Sequence, residues 1–214
     1  MNFFRLFRLC CVALPLTALT YSPIKAAEKN YSVNQDVMLT GAEEGRTLRL
    51  SGYGNVGKGC SIFGFLDSFG PVTSTQNTYG ELHLSRGFRG PISGQAEING
   101  GLKGPYVFRI GPKVKIPTPK GTYADLKILP LNTSTEDGIL NEAQIGLFGS
   151  AEFGRWYLSN WTDHTMSPNR EPSTLTEFTA GRQINSNFSL QSQAAKDVNS
   201  PGWTFRIGGR YKMF

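Results

Sequence analysis

Few of the usual reactive groups are present in this 214-residue chain. It has two histidines, His83 and His164, and three cysteines. Cys10 and Cys11 fall in an N-terminal stretch that reads as an export signal, which leaves Cys60 alone. One cysteine closes no internal disulfide, and two distant histidines supply no metal-ligand spacing. A serine nucleophile needs an imidazole on its own side to take the hydroxyl proton. Ser159 and His164 are five residues apart, so an undistorted strand points them to opposite faces, and His83 would have to arrive from another strand. The richer constellation is one that binds. Ser61, Phe63, Phe65 and Asp67 occupy alternate positions and so share one face of a strand. If Arg49, Ser51 and Tyr53 on the preceding strand share it too, aromatic rings stand beside an Arg and an Asp, with Glu81 one strand further on. Such rings stack on a flat base for about 1–3 kcal/mol in single-strand binders, and Asp67 and Glu81 accept hydrogen bonds from hydroxyls. The alternative is that the rings pack a filled interior and the charges pair with one another.

The elements that would position these residues are strands. From Gly202 to Phe214 the odd positions carry Trp203, Phe205, Ile207, Tyr211 and Met213, and the even ones Thr204, Arg206, Arg210 and Lys212. Phe108, Ile110, Val114 and Ile116 oppose Arg109, Lys113 and Lys115 in the same way. Ala124, Leu126 and Ile128 oppose Tyr123, Asp125 and Lys127. The pattern recurs in 92–99 and 142–152. Runs of this kind predict strands at 33–40, 46–55, 60–69, 78–88, 92–102, 105–116, 121–131, 142–153, 155–165, 175–184, 187–196 and 202–214. Turn residues such as Arg89-Gly90-Pro91, Pro119-Lys120-Gly121 and Ser200-Pro201-Gly202 separate them. The polar stretches 132–141 and 166–174 read as longer loops. About twelve alternating strands, or ten if 33–40 and 46–55 are misread, with one apolar and one charged face, predict an all-β fold: an antiparallel up-and-down transmembrane β-barrel with lipid outside and water inside. Trp156 and Trp203, near strand ends on the apolar face, suit an interfacial aromatic girdle.

The N-terminus bears on the compartment. Arg5 and Arg8 precede an apolar run from Leu9 to Leu19, and Ile24-Lys25-Ala26-Ala27 supplies small residues for cleavage. This is the pattern of a secretory signal peptide over 1–26, too short to span a bilayer, and it leaves 27–214 as the barrel domain in the bacterial outer membrane. Removing Arg5, Arg8 and Lys25 lowers the formal +6 to 19 basic against 16 acidic residues. A mild excess with no basic run interleaved with aromatics argues against a nucleic-acid partner.

Several segments resemble the Tsx-type nucleoside-specific channels of the outer membrane and their short relatives. They are Val33-Asn34-Gln35-Asp36-Val37, Thr47-Leu48-Arg49-Leu50-Ser51-Gly52-Tyr53-Gly54, Ser61-Ile62-Phe63-Gly64-Phe65-Leu66-Asp67 and Tyr79-Gly80-Glu81-Leu82 with Arg86. Tyr157-Leu158-Ser159-Asn160-Trp161-Thr162-Asp163 and the C-terminal Gly208-Gly209-Arg210-Tyr211-Lys212-Met213-Phe214 fit more loosely. The resemblance implies a twelve-stranded barrel whose narrow lumen binds nucleosides weakly in passing. This chain is shorter than the family's well-known channels, and nothing near 42–45 matches their nucleoside-contacting aromatics. Tyr157-Leu158-Ser159-Asn160 also looks faintly like the Ser-Asn motif of lipid A deacylases, but position 157 is Tyr where that motif has His. The expectation is therefore a passive channel for small polar solutes, nucleosides foremost, lined by Arg49, Tyr53, Phe63, Phe65, Asp67 and Glu81. It is expected to be a monomer among outer-membrane lipids, with no catalytic residue, metal or cofactor. The alternatives are a pore-less anchor or adhesin and a lipid A-modifying hydrolase.

Overall fold

Alternation becomes fourteen strand segments in the computed structural model. It describes residues 31–40, 46–57, 59–70, 77–88, 90–101, 104–135, 138–140, 142–168 and 170–213. β1 (Tyr31–Thr40), β2 (Arg46–Gly57), β3 (Cys60–Gly70) and β4 (Asn77–Gly87) are followed by β5 (Ile92–Gly101) and β6 (Tyr106–Ile116). Next come β7 (Thr122–Leu129), β8 (Leu131–Ser134), β9 (Gly138–Leu140) and β10 (Ala143–Phe153). β11 (Trp156–Ser167), β12 (Arg170–Gln183), β13 (Phe188–Asp197) and β14 (Thr204–Lys212) complete the order. Every pairing is antiparallel, and β14 returns to β1 with Arg210 opposite Asp36 and Gly208 opposite Met38. Closure joins the first stave to the last, the condition under which strands cross a bilayer with their backbone groups satisfied.

The fourteen segments make twelve staves. Pro130, which has no N–H to give to a ladder, divides one stave into β7 and β8. β6 pairs with β7 as far as Lys113 opposite Lys127, then with β8 from Ile110 opposite Leu131, a slip of one residue. Gly111 sits at the slip, where a Cβ would lie 2.0 Å from the Ile128 carbonyl oxygen and 2.8 Å from Pro130 Cδ. Only glycine lets the backbones approach so closely. β9 runs on into β10 as a second divided stave.

All twelve predicted strands are present within a few residues, β1 and β2 included, so the ten-strand count does not apply. The two long loops are corrected. Much of 132–141 is the β8–β9 hairpin, and 166–174 is mostly strand, with β11 running to Ser167 and β12 resuming at Arg170. Pairing continues past the apolar band, where outward residues are free to be polar, so alternation fades before the strand ends. Residues 1–30, 41–45 and Phe214 lie outside the described residues, as do the expected signal segment, the short first loop and the terminal aromatic.

Burial is inverted relative to a water-soluble domain. Phe205 and Ile207 are 67% and 68% exposed, and Val37, Leu84, Phe108 and Leu190 are also exposed. Asp36, Asp67, His83, Glu97 and Lys127 are buried, while Met38, Leu129 and Ala195 are the buried apolar side chains among the described residues. The apolar surface has its favourable environment in lipid rather than in a core. Trp156, at the start of β11, and Trp203, just before β14, stand half-exposed at opposite rims, as a girdle requires. Cys60 is partly buried at the start of β3.

Candidate functional site in the barrel lumen

Register decides which side chains meet inside. β2 and β3 pair with Arg49 opposite Asp67, Ser51 opposite Phe65 and Tyr53 opposite Phe63. β3 and β4 pair with Phe65 opposite Glu81 and Phe63 opposite His83. Arg49, Tyr53, Phe63, Phe65, Asp67 and Glu81 thus stand on three adjacent staves, and all of them line one lumen cavity.

Arg49 donates through Nε and Nη2 to the two carboxylate oxygens of Asp67, each at 2.7 Å, and its guanidinium carbon lies 4.5 Å from the centre of the Phe65 ring. A bidentate pair of this kind is among the stronger side-chain contacts and fixes both partners. Asp67 and Glu81 are therefore paired within the wall, the alternative reading of the sequence. Both Asp67 oxygens are engaged by Arg49. Glu81 accepts from the Tyr79 hydroxyl at 2.5 Å and meets His83 Nε2 at 2.8 Å. Tyr53 stands nearer the rim, 44% exposed, with its hydroxyl donating to Asn55.

The opposite wall supplies residues that sequence reasoning did not single out. In a twelve-stave barrel β11 lies diametrically across from β3. Trp161 on β11 nonetheless reaches Phe63, with ring centroids 6.2 Å apart, and lies 5.6 Å from the His83 ring and 6.0 Å from Phe148. Its indole N–H donates to Asp163 at 2.7 Å. Lys127 Nζ lies 5.0 Å from the Trp161 ring centre and 3.0 Å from both Glu97 Oε1 and Asp163 Oδ1. The Lys127–Asp163 bridge passes over Gly146, where a Cβ would fall 2.0 Å from Lys127 Cε and 2.4 Å from Asp163 Oδ1. Glu177 on β12, opposite Trp161 in register, approaches Arg49 Nη1 at 3.7 Å and Arg206 Nη1 at 3.5 Å. At the β14–β1 seam, Arg210 and Asp36 form a second bidentate pair at 2.7 and 2.8 Å.

Two contacts thus cross the lumen and narrow it, Phe63 with Trp161 and Arg49 with Glu177. The cavity is about 890 Å³, and its lining reaches from Ser200 and Gly202 at one rim to Tyr53 and Glu152 at the other. It is eccentric. On the side of β5 and β7–β8 the interior is filled, with Glu97, Leu129 and Asn132 no more than 1% exposed. Ser159 lines the lumen, whereas His164 lies on the other face of β11 with Nδ1 2.8 Å from the Thr174 hydroxyl. The structure therefore does not bring these two together. Among the described residues no cluster of His, Cys, Asp or Glu is arranged to hold a metal ion. The wall offers rings, hydroxyls, amides and paired charges, which is binding chemistry.

A closed antiparallel barrel of twelve staves, apolar outside and charged around an internal cavity, is an outer-membrane β-barrel of porin type. Solved structures agree on the fold. The chain is similar to the KdgM porin, with a TM-score of 0.57 and 10% identity, covering 84% of this chain and 98% of that one. The KdgM porin in complex with disordered oligogalacturonate gives 0.58 and 9% over the same shares. The NanC porin gives 0.60 and 8%, again covering 84% of this chain and 98% of that chain. At such identities the likeness is one of fold, and it is the fold of bacterial outer-membrane porins. No protein-family model matches the chain, and no curated protein matches it. The Tsx-type likeness rests on the sequence segments alone.

Proposed function

We propose that this barrel is a passive channel for small polar solutes, with nucleosides as the favoured class. The observation that carries the reading is one continuous lumen cavity whose lining includes residues near both rims. Its narrowest level combines Phe63, Phe65 and Trp161 with hydrogen-bonding groups, a surface on which a flat base slides by stacking while its sugar exchanges hydrogen bonds with the wall. Charge favours a neutral solute. Arg49 is matched by Asp67, Arg210 by Asp36, and Lys127 by Glu97 and Asp163, so no run of unmatched basic groups is available to a polyanion such as the oligogalacturonate bound to the KdgM porin. Residues 1–26 serve in this reading as the cleaved export signal, and the working unit is a single barrel.

The test is single-channel conductance of the refolded mature chain in a planar bilayer, with nucleosides titrated in. Small steps that nucleosides block reversibly, and that free sugars and amino acids do not, are expected. Steps indifferent to nucleosides would keep the channel and remove the solute class. Correctly folded barrels without conductance would overturn the channel and favour a closed anchor, sealed where Phe63 meets Trp161.

A further inference from the structure

Glu177 is held differently from Asp36, Asp67, Glu97 and Asp163. Asp36 and Asp67 each take two short hydrogen bonds from one guanidinium, and Glu97 and Asp163 each lie 3.0 Å from Lys127. Glu177 instead lies between two guanidiniums, 3.7 Å from Arg49 Nη1 and 3.5 Å from Arg206 Nη1, while Gln193 Nε2 donates to it at 3.5 Å. Charge-assisted N–H···O bonds run at about 2.7–2.9 Å, so Glu177 feels both cations without being locked to either. Each cation has a closer partner: Arg49 has Asp67, and Arg206 donates to Gln193 Oε1 at 2.7 Å. Arg206 Nε is buried without a hydrogen-bond partner. Glu177, Arg49 and Arg206 all line the cavity, and Glu177 stands opposite Trp161 in register.

We propose that Glu177 sets the charge selectivity of the pore, as a displaceable counter-charge shared by Arg49 and Arg206 at the narrow level. This rests on the channel reading. The Arg49–Asp67 and Arg210–Asp36 pairs are each neutral, so on this arc of the wall the balance falls to Arg206 and Glu177, while across the lumen Lys127 faces both Glu97 and Asp163. With Glu177 ionised, that balance is zero. A small anion meets no net attraction, and a carboxylate-bearing solute must displace a tethered carboxylate that loses no translational freedom in staying put. Without Glu177 an unmatched guanidinium faces the passing solute, and wall charge at a constriction sorts ions by sign.

The experiment is the reversal potential of single barrels under a potassium chloride gradient, for the wild type and the variants E177Q, E177D and R206Q. All four are first shown to be folded by heat-modifiable mobility on gels. The wild type is expected to favour K⁺ modestly, because Glu97 and Asp163 together outnumber Lys127. E177Q should shift the ratio toward chloride by about three- to tenfold, and E177D should restore it. R206Q should shift it toward potassium, which keeps the idea testable if E177Q does not fold. Reversal potentials in E177Q and R206Q that match the wild type would overturn the role given to Glu177 and leave the channel standing. A silent wild-type barrel would instead overturn the channel itself, and this role with it.

Discussion

Replacing Trp161 by alanine should widen the pore, and the expected size follows from the geometry. Eleven residues at about 3.3 Å each, tilted by about 40°, span roughly 28 Å along the barrel axis. A cavity of about 890 Å³ over that length has a mean cross-section on the order of 30 Å². At the level of Trp161 the section is smaller, because ring centroids 6.2 Å apart are in aromatic contact across the lumen. Resistances in series add, so relieving the narrowest level should raise single-channel conductance about two- to threefold. Stability should fall by about 1–3 kcal/mol, less than the roughly 3–5 kcal/mol of a sealed core, because water enters the space left behind. The assay compares conductance steps of W161A, F63A and the double variant, each first shown to be folded. If both rings narrow one level, the gains will be strongly sub-additive. A folded W161A with an unchanged step would refute the assignment of Trp161 to the constriction, and full additivity would refute the claim that the rings act together.

Two further outcomes follow from packing. Gly146→Ala would push a methyl into Lys127 Cε and Asp163 Oδ1, so urea unfolding in micelles should show a loss of about 1–3 kcal/mol from overpacking. Gly149→Ala, whose Cβ meets nothing closer than 3.9 Å, should be nearly neutral. Ile207→Arg places a charge on the lipid face near the middle of β14 and should cost about 2–4 kcal/mol in folding into vesicles, whereas Ser159→Arg in the lumen should cost far less.

Much of the barrel was legible because period two is a local property. Phe205 and Ile207 against Arg206 and Arg210 announce two environments without any knowledge of neighbours, and the same holds for Ile128 against Lys127. Adjacent-strand partners were legible too. Arg49 shares a face with Phe63, Phe65 and Asp67 because a short turn fixes the register of β2 on β3. Contacts across the lumen were hidden. That Trp161 meets Phe63, or that Glu177 reaches Arg49, depends on stave count, tilt and closure together, and none of these shows in a window of ten residues. That Asp67 and Glu81 already have partners inside the wall was the alternative the sequence left open, and the pairing decides it. Pro130 was visible as a residue, but its effect, a divided stave and the slip at Gly111, belongs to the pairing.

The seam between β1 and β14 has a kinetic meaning. Arg210 and Asp36 are 174 positions apart in the chain, so the two strands that complete the cylinder are among the last pieces to become available to one another. Every other stave finds its neighbour through a short connection, and such hairpins form fast. Long-range closure is slow, because the loop entropy is lost before the contacts form. Until the final strand docks, β1 and β13 each present an open row of N–H and C=O groups inside or beside a bilayer that has no water to satisfy them. An intermediate lacking only that last pairing would be the aggregation-prone species on the assembly route. The part-buried two-point contact of Arg210 with Asp36 would act there as a latch, forming only when the first and last strands are in register.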